Sequence, residues 1–327
     1  MRKSLVLLLV IGLLVTVSSI GYANADYELK FGHVGNTSTA YHATAVRFSE
    51  LIDEYTNGKV KVDIYPNGEL GSELDMFEQT KNGTIDFTIT APGQVVEYSD
   101  KMGFLSFPFL FEDLEHWKKV MDSEVAEKMK DYVYEDTGVR LVEYLGGITR
   151  NVVSRYPIRE IKDFEDFQMR IHPTDISLEI WKSLGVNPTT VAWSEIYNAL
   201  QLGVIDGLEN EAFWIMSAKF YEQAPYIIET KNKITIRPIF MSDSTYNELP
   251  DELRKDVLKA IEEAGVYGRE VGIENDKTAE KELREDYGVE FIEIDQDKIV
   301  KNIEGIREKY AKQIGLEELY NKVQELK

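Results

Sequence analysis

The residue types between Phe167 and Asn210 are those that hold a small organic anion. Arg170 sits within the apolar run Phe167-Gln168-Met169-Arg170-Ile171, where a guanidinium is costly unless it is paired. Arginine suits a carboxylate in a dry cleft, because its planar fork donates two parallel charge-assisted hydrogen bonds and stays ionised on burial. Arg150 follows Gly146-Gly147 beside small and β-branched residues and is a second candidate. Trp193 stands at a helix start, Asn210 follows a glycine turn, and Trp214 lies just beyond it. These side chains could converge on one anion. Each also has a plain structural reading: salt bridges for the arginines, core filling for the tryptophans, local turn chemistry for Asn210. His33 and Asn36 lie at the C-terminal end of the first strand, where open α/β sheets bind ligands. A solvated loop accounts for them equally well.

No catalytic constellation accompanies these residues. The four histidines, His33, His42, His116 and His172, are scattered and have no metal-ligand spacing. There is no Gly-x-Ser-x-Gly, phosphate loop or dinucleotide fingerprint. Acidic pairs such as Asp163 and Glu165 arise by chance among 58 Asp and Glu residues and mostly solvate the surface. The expectation is a binding protein with no cofactor, not an enzyme.

The bulk numbers narrow the partners. The 327 residues carry a net charge of −21, and lysines alternate with glutamates, so nucleic acid is not expected as a partner. An anionic ligand is opposed by the field of the whole protein, which leaves its attraction to local cations. Arg2-Lys3, the apolar stretch Leu5 to Val17 and the small-x-small site Ala23-Asn24-Ala25 have the order of a secretory signal peptide. Residues 1–25 are therefore expected to be removed by cleavage after Ala25. The sequence contains no cysteine, hence no disulfide framework and no lipobox, and a periplasmic protein that is not itself membrane-anchored is expected.

The elements that must position the candidates follow an alternating grammar. Tyr27–Phe31, Val60–Tyr65 and Ile85–Ile89 read as strands separated by helices over Ala40–Tyr55 and from Ser72 onward, a β-α-β-α-β order that argues for a parallel sheet. A helix over Leu114–Tyr134 and a strand over Val139–Tyr144 follow. The second half repeats the order, with an extended Arg150–Ser154, a strand at Phe167–Ile171, helices at Ile176–Leu184 and Ser194–Leu202, and a strand at Val204-Ile205. Two lobes of similar design are expected. The aromatic run Phe104 to Phe111 reads as core rather than cleft lining. Helical periodicity from Leu249-Pro250-Asp251 to about Asp286 reads either as one long helix bracing both lobes or as a pair broken near Gly272. A strand at Phe291–Ile294 and two amphipathic helices complete the chain.

Short motifs now fall into a familiar order. They are Leu29-Lys30-Phe31-Gly32, Thr56-Asn57-Gly58-Lys59-Val60, Tyr65-Pro66-Asn67-Gly68-Glu69-Leu70-Gly71, Gly83-Thr84-Ile85-Asp86 and Phe107-Pro108-Phe109-Leu110-Phe111. Then come Met169-Arg170, Asn187-Pro188-Thr189, Ser194-Glu195-Ile196-Tyr197-Asn198-Ala199-Leu200-Gln201 and Gly203-Val204-Ile205-Asp206-Gly207-Leu208-Glu209-Asn210. Across essentially the whole chain after residue 25, the sequence resembles the DctP-type extracytoplasmic solute receptors of TRAP (tripartite ATP-independent periplasmic) transporters. The resemblance implies an α/β, two-lobed periplasmic binding protein fold of type II-like design, with two mixed sheets flanked by helices and a long helix bracing both lobes. The lobes would be 26–147 with 236–275, and 148–235 with 276–327. It implies closure over an organic acid and delivery to TRAP membrane permease subunits driven by an ion gradient. The family's carboxylate-binding arginine falls on Arg170, a second ligand arginine on Arg150, its loop aromatic on Trp193 and its ligand asparagine on Asn210. Trp214 and the first-lobe residues Gln94, Glu73, Asn36 and His33 complete the expected ligand set.

The chain departs from the family pattern at three places. Ala91 stands where members that bind sialic acid carry Glu, Trp193 where many carry Phe, and Glu211 where Pro is usual, with Phe213-Trp214 adding aromatic bulk. These departures point away from sialic acid and toward a hydroxylated or keto monocarboxylate such as a sugar acid, with a four-carbon dicarboxylate second. A receptor of an ATP-driven importer and a secreted enzyme acting on acidic sugars are the alternatives.

Overall fold

The computed structural model describes residues 25–327, so the expected leader, apart from Ala25, lies outside the described residues. Strands β1 (Tyr27–Gly32), β2 (Val60–Tyr65) and β3 (Phe87–Ile89) are parallel and are linked by α1 (Ala40–Thr56) and α2 (Glu73–Lys81). Helix α1 starts where the Thr39 hydroxyl accepts the His42 N–H and ends on the left-handed Asn57. A capping box between Ser72 and Asp75 starts α2, which places Glu73 in its first turn, facing the C-terminal ends of the strands.

The expected helix over 114–134 is two helices, α3 (Leu114–Met121) and α4 (Glu124–Thr137), because Ser123 caps a new start. They lead to β4 (Arg140–Ser154), which merges the two extended segments read separately from the sequence. The second parallel set follows: β5 (Gln168–Arg170), α5 (Asp175–Ser183), β6 (Asn187–Thr189), α6 (Ile196–Leu202) and β7 (Gly207–Asn210). Beyond α7 (Ala212–Ser217) comes β8 (Tyr226–Met241), a 16-residue strand in a region where the sequence reading assigns no element. The chain ends with α8 (Asp243–Glu248), α9 (Asp251–Glu285), β9 (Glu290–Glu293), α10 (Gln296–Asn302), α11 (Ile306–Gln313) and α12 (Glu317–Glu325), three terminal helices rather than two.

The strand order is β2-β1-β3-β8-β4-β7-β5-β6, with β9 beside β8. The two expected sheets are thus one hydrogen-bonded path in a two-lobed fold, because antiparallel β4 and β8 run through both halves. Their register slips between Gly146 and Thr149, where Gly146 and Gly147 take φ values of 128° and 79°. This double-glycine bulge lies between the halves. A Cβ at Gly146 would strike the backbone of Thr235, so the glycine is required there.

Two cores are each confined to one half: Phe31, Phe48 and Phe87 with α9 in the first, Val153, Ile196, Leu208 and Ile227 in the second. A third, larger one joins Phe77, Val95 and Phe107 of the first half to Phe164, Met169 and Trp181 of the second. The Phe104-to-Phe111 run is core, packed with Tyr310, Tyr320 and Val323 of the terminal helices. Helix α9 is continuous for 35 residues, about 52 Å at 1.5 Å per residue. Its Val257, Ile261 and Ala264 belong to the first core and its Leu283 to the second, so it braces both lobes. At Gly268 the helix backbone lies so close to Thr44 and Leu145 that no side chain fits.

Candidate ligand-binding site

The C-terminal ends of β1, β3, β5 and β7 point into the space between the lobes, the position at which open parallel sheets take ligands. A cavity lies there. Seven of the nine expected residues line it: Glu73, Gln94, Arg150, Arg170, Trp193, Asn210 and Trp214. Val34, Tyr41, Ala91, His172 and Arg237 complete the wall.

His33 and Asn36 are not brought into the cavity. His33 is fully buried behind Tyr41, with its ring edge-on to that residue at 6.3 Å and Nε2 3.4 Å from Nδ1 of His42. Burial, and then His42, lower its pKa to about 3, as expected for a core imidazole. Asn36 is exposed, and its Oδ1 accepts the N–H and hydroxyl of Ser38. The loop after β1 reaches the site through Val34 instead, and the first turn of α1 through Tyr41.

Arg170 ends β5, between β7 and β6, opposite Leu208 and Thr189. It is 5% exposed and its Nε donates to the Val191 carbonyl at 3.2 Å. Among the described residues no side-chain carboxylate forms a salt bridge with it. Burial, and then the neighbouring Arg150, pull its pKa down to about 10. This is a cation held in a dry place without an ion-pair partner, a costly arrangement for a fold alone.

Arg150 is different. On β4 it pairs in register with Lys233 of β8, and both side chains share the buried Glu209: Arg150 Nε as an ion pair without hydrogen-bond geometry, Lys233 Nζ at 3.6 Å. Arg150 Nη2 also donates to the Glu209 carbonyl at 2.5 Å. The structural salt bridge read as an alternative for Arg150 therefore exists, although the residue also lines the cavity. Burial works against the Glu209 charge, but Arg150 and Lys233 hold its pKa below the usual value. Burial lowers Lys233 to about 8.

Asn210 ends β7 opposite Asn151. Its Oδ1 accepts the N–H of Glu211 at 3.1 Å, which leaves the Nδ2 donors for the cavity. Trp193 stands edge-on to Trp214 at 5.3 Å and Trp214 edge-on to Tyr41 at 5.6 Å, an aromatic wall reaching from one lobe to the other. The Gln94 amide lies 3.1 Å from Nδ1 of His172, also across the cavity. Nε2 of His172 has no hydrogen-bond partner among the described residues. Burial, and then Arg170, keep this imidazole neutral, with its pKa well below the ordinary value. Glu73 accepts the Ala91 N–H at 2.9 Å, and burial raises its pKa despite Arg237. Arg237 donates to Glu211 at 3.2 Å. Burial opposes its charge, but Tyr41, Glu211 and Glu73 outweigh burial and raise its pKa.

The site holds four cations, Arg150, Arg170, Lys233 and Arg237, against three carboxylates, Glu73, Glu209 and Glu211. With all of them ionised, one positive charge is left over in a protein whose net charge is −21. Tyr41, His172 and Arg237 were missed from the sequence. Arg237 carries the same signal as Arg170, an arginine within an apolar run, Ile236-Arg237-Pro238. His172 lies two residues after Arg170, on the same side of an extended chain.

The sequence matches the family model described as bacterial extracellular solute-binding protein, family 7 (DctP), over residues 31–315. The chain is a DctP-family solute-binding protein. A family of solute receptors agrees with the expectation of a binding protein. The DctP-family chain is 37% identical over 303 residues to a solute-binding protein of Sulfitobacter sp. (strain NAS-14.1), covering 92% of each. Its fold matches a crystal structure of a TRAP periplasmic solute binding protein from Sulfitobacter sp. NAS-14.1 with bound alpha-D-taluronate. The TM-score is 0.87 at 37% identity, covering 91% of this chain and 97% of that one. It also matches a TRAP periplasmic solute binding protein from Roseobacter denitrificans OCh 114 with bound L-galactonate, with a TM-score of 0.83 at 29% identity, covering 93% and 99%. The DctP family is one of periplasmic receptors of TRAP transporters, and among the described residues of this member no helix is long and apolar enough to cross a membrane.

Proposed function

We propose that this receptor binds a hydroxylated monocarboxylate of hexuronate or hexonate size and delivers it to the TRAP permease subunits, which an ion gradient drives. The observation that carries this reading is Arg170, a buried cation lining the cavity with no side-chain carboxylate among the described residues. The ligand's carboxylate accepts two hydrogen bonds from the Arg170 guanidinium in a bidentate pair. The single surplus positive charge of the site matches one carboxylate. The ligand body meets acceptors and donors suited to hydroxyls: Glu73, Gln94, Asn210, Tyr41 and Nε2 of His172. Trp193 and Trp214 pack against its carbon face. The sugar acids bound by the Sulfitobacter and Roseobacter proteins support the same ligand class.

The bodies that close on the ligand are the lobes 26–147 with 236–275 and 148–235 with 276–327, a division that falls at the Gly146-Gly147 bulge. Only the closed state lets Gln94 and Glu73 of one lobe and Arg170 and Asn210 of the other touch one molecule, so ligand shifts the population toward closure. The test is a thermal-shift screen against hexuronates, hexonates, four-carbon dicarboxylates and neutral hexoses. A ligand that binds only the folded chain raises Tm by mass action. A rise with the sugar acids and none with neutral hexoses is expected; a rise with the neutral sugars alone would contradict the reading.

A further inference from the structure

Arg237 is the second arginine whose position could hold an anion. It and Arg170 mark different ends of the cavity. On the Arg170 side the cavity continues into the outer cleft past Ser72 and Ser194; on the Arg237 side it continues into an inner chamber beside Gly268 and Thr235. A linear sugar acid with a carboxylate at each end would span these two ends.

Arg237 is occupied by Glu211. The Glu211 carboxylate is 2% exposed, with Oε1 3.2 Å from Arg237 Nη2 and Oε2 without a hydrogen-bond partner among the described residues. Glu211 also stands at the N-cap position of α7, where a side chain ordinarily accepts the free N–H groups of the first turn. It makes no such bond. Asp276 of α9 reaches over and accepts the Phe213 N–H at 2.9 Å instead. With the cap supplied from another helix, the Glu211 side chain is committed to Arg237.

We propose that Glu211 is a specificity-determining residue that makes the receptor choose one carboxylate over two, by neutralising Arg237. The inference rests on the sugar-acid reading given above. With Glu211 charged, the cluster has one surplus positive charge and the Arg237 end presents an ion pair. A second carboxylate arriving there meets a carboxylate already in place. Removing the Glu211 charge leaves two surplus charges and a free guanidinium at each end, which is the complement of a dianion.

The test compares a hexuronate with the corresponding hexarate, the sugar acid with both ends oxidised, by titration calorimetry on the wild-type chain, Glu211→Gln and the double variant Glu211→Gln, Arg237→Gln. Wild type binds the hexuronate in preference. In Glu211→Gln that preference falls by about tenfold or more, the scale of one charge-assisted hydrogen bond, and the double variant restores it. Thermal unfolding checks that each variant folds. If Glu211→Gln does not, Glu211→Asp keeps the charge but draws it back by one methylene, and a smaller fall in the same direction is expected. A wild type that binds hexuronate and hexarate equally overturns the inference, as does a preference unchanged in the variants; both leave the sugar-acid reading standing. A wild type that binds neither compound, and no hexonate either, overturns both.

Discussion

Asp276 accepts the backbone N–H of Phe213 at 2.9 Å, so the helix that braces both lobes also holds the first turn of α7. That turn carries Trp214 and follows directly on Asn210 and Glu211. The geometry of the site therefore depends on a contact made outside it, from a helix anchored in both cores.

The same contact gives a pH dependence. Burial is the main cause that raises the Asp276 pKa to about 7, and Glu211 and Glu280 add to it. In the unfolded chain an aspartate titrates near about 4. Between these values the folded chain holds a proton that the unfolded chain has released, so this group's contribution is full below about pH 4 and is lost as pH rises through about 7. Asp276→Asn keeps an acceptor for Phe213 and removes the charge. The variant is expected to have a higher Tm than wild type at pH 8 and no advantage at pH 4, measured by thermal unfolding across that range.

The two buried arginines Arg150 and Arg170 differ in their partners, so Glu209→Gln and Arg170→Met are expected to change stability in opposite ways. Glu209→Gln leaves Arg150 and Lys233 buried without their carboxylate and should cost about 3–5 kcal/mol of stability. Arg170→Met removes a buried cation that has no ion-pair partner among the described residues, so the apo protein should keep its Tm or gain. Denaturant unfolding of both variants at pH 7 checks this. The Glu209 contribution survives mild acid, because its pKa lies below the usual carboxylate value and the stabilisation is lost only as pH falls through that lowered value.

The brace depends on close approach. A Cβ at Gly268 would overlap the Thr44 hydroxyl and crowd Leu145, so Gly268→Ala should destabilise by about 1–3 kcal/mol, as overpacking does. Thermal unfolding of the variant measures it. Gly288→Ala is a useful contrast: nothing lies within 4 Å of a Cβ there, and only its φ of 67° opposes the change.

Arg170 was legible because a cation in a short apolar run is conspicuous, and the ordered motifs fixed its role as an expectation. Arg237 carries the same signal but lies on β8, which is buried along most of its length. A strand covered on both faces has no period-2 alternation, so neither the element nor its arginine stood out. His33 misled for the converse reason. It stands at the correct end of β1, but its ring turns into the core under Tyr41, and a direction of that kind is set by packing rather than by position in the chain. Ser123 caps a new helix start, but apolar periodicity runs through Asp122-Ser123, so the two helices read as one in the sequence.

Arg170 is the residue proposed to hold the ligand's carboxylate. Titration calorimetry of wild type and Arg170→Ala with a hexuronate, under conditions where thermal unfolding shows both folded, tests it most directly. Loss of a bidentate charge-assisted pair in a dry cavity should weaken binding by about two to three orders of magnitude or more. Affinity of the variant equal to that of wild type would contradict it.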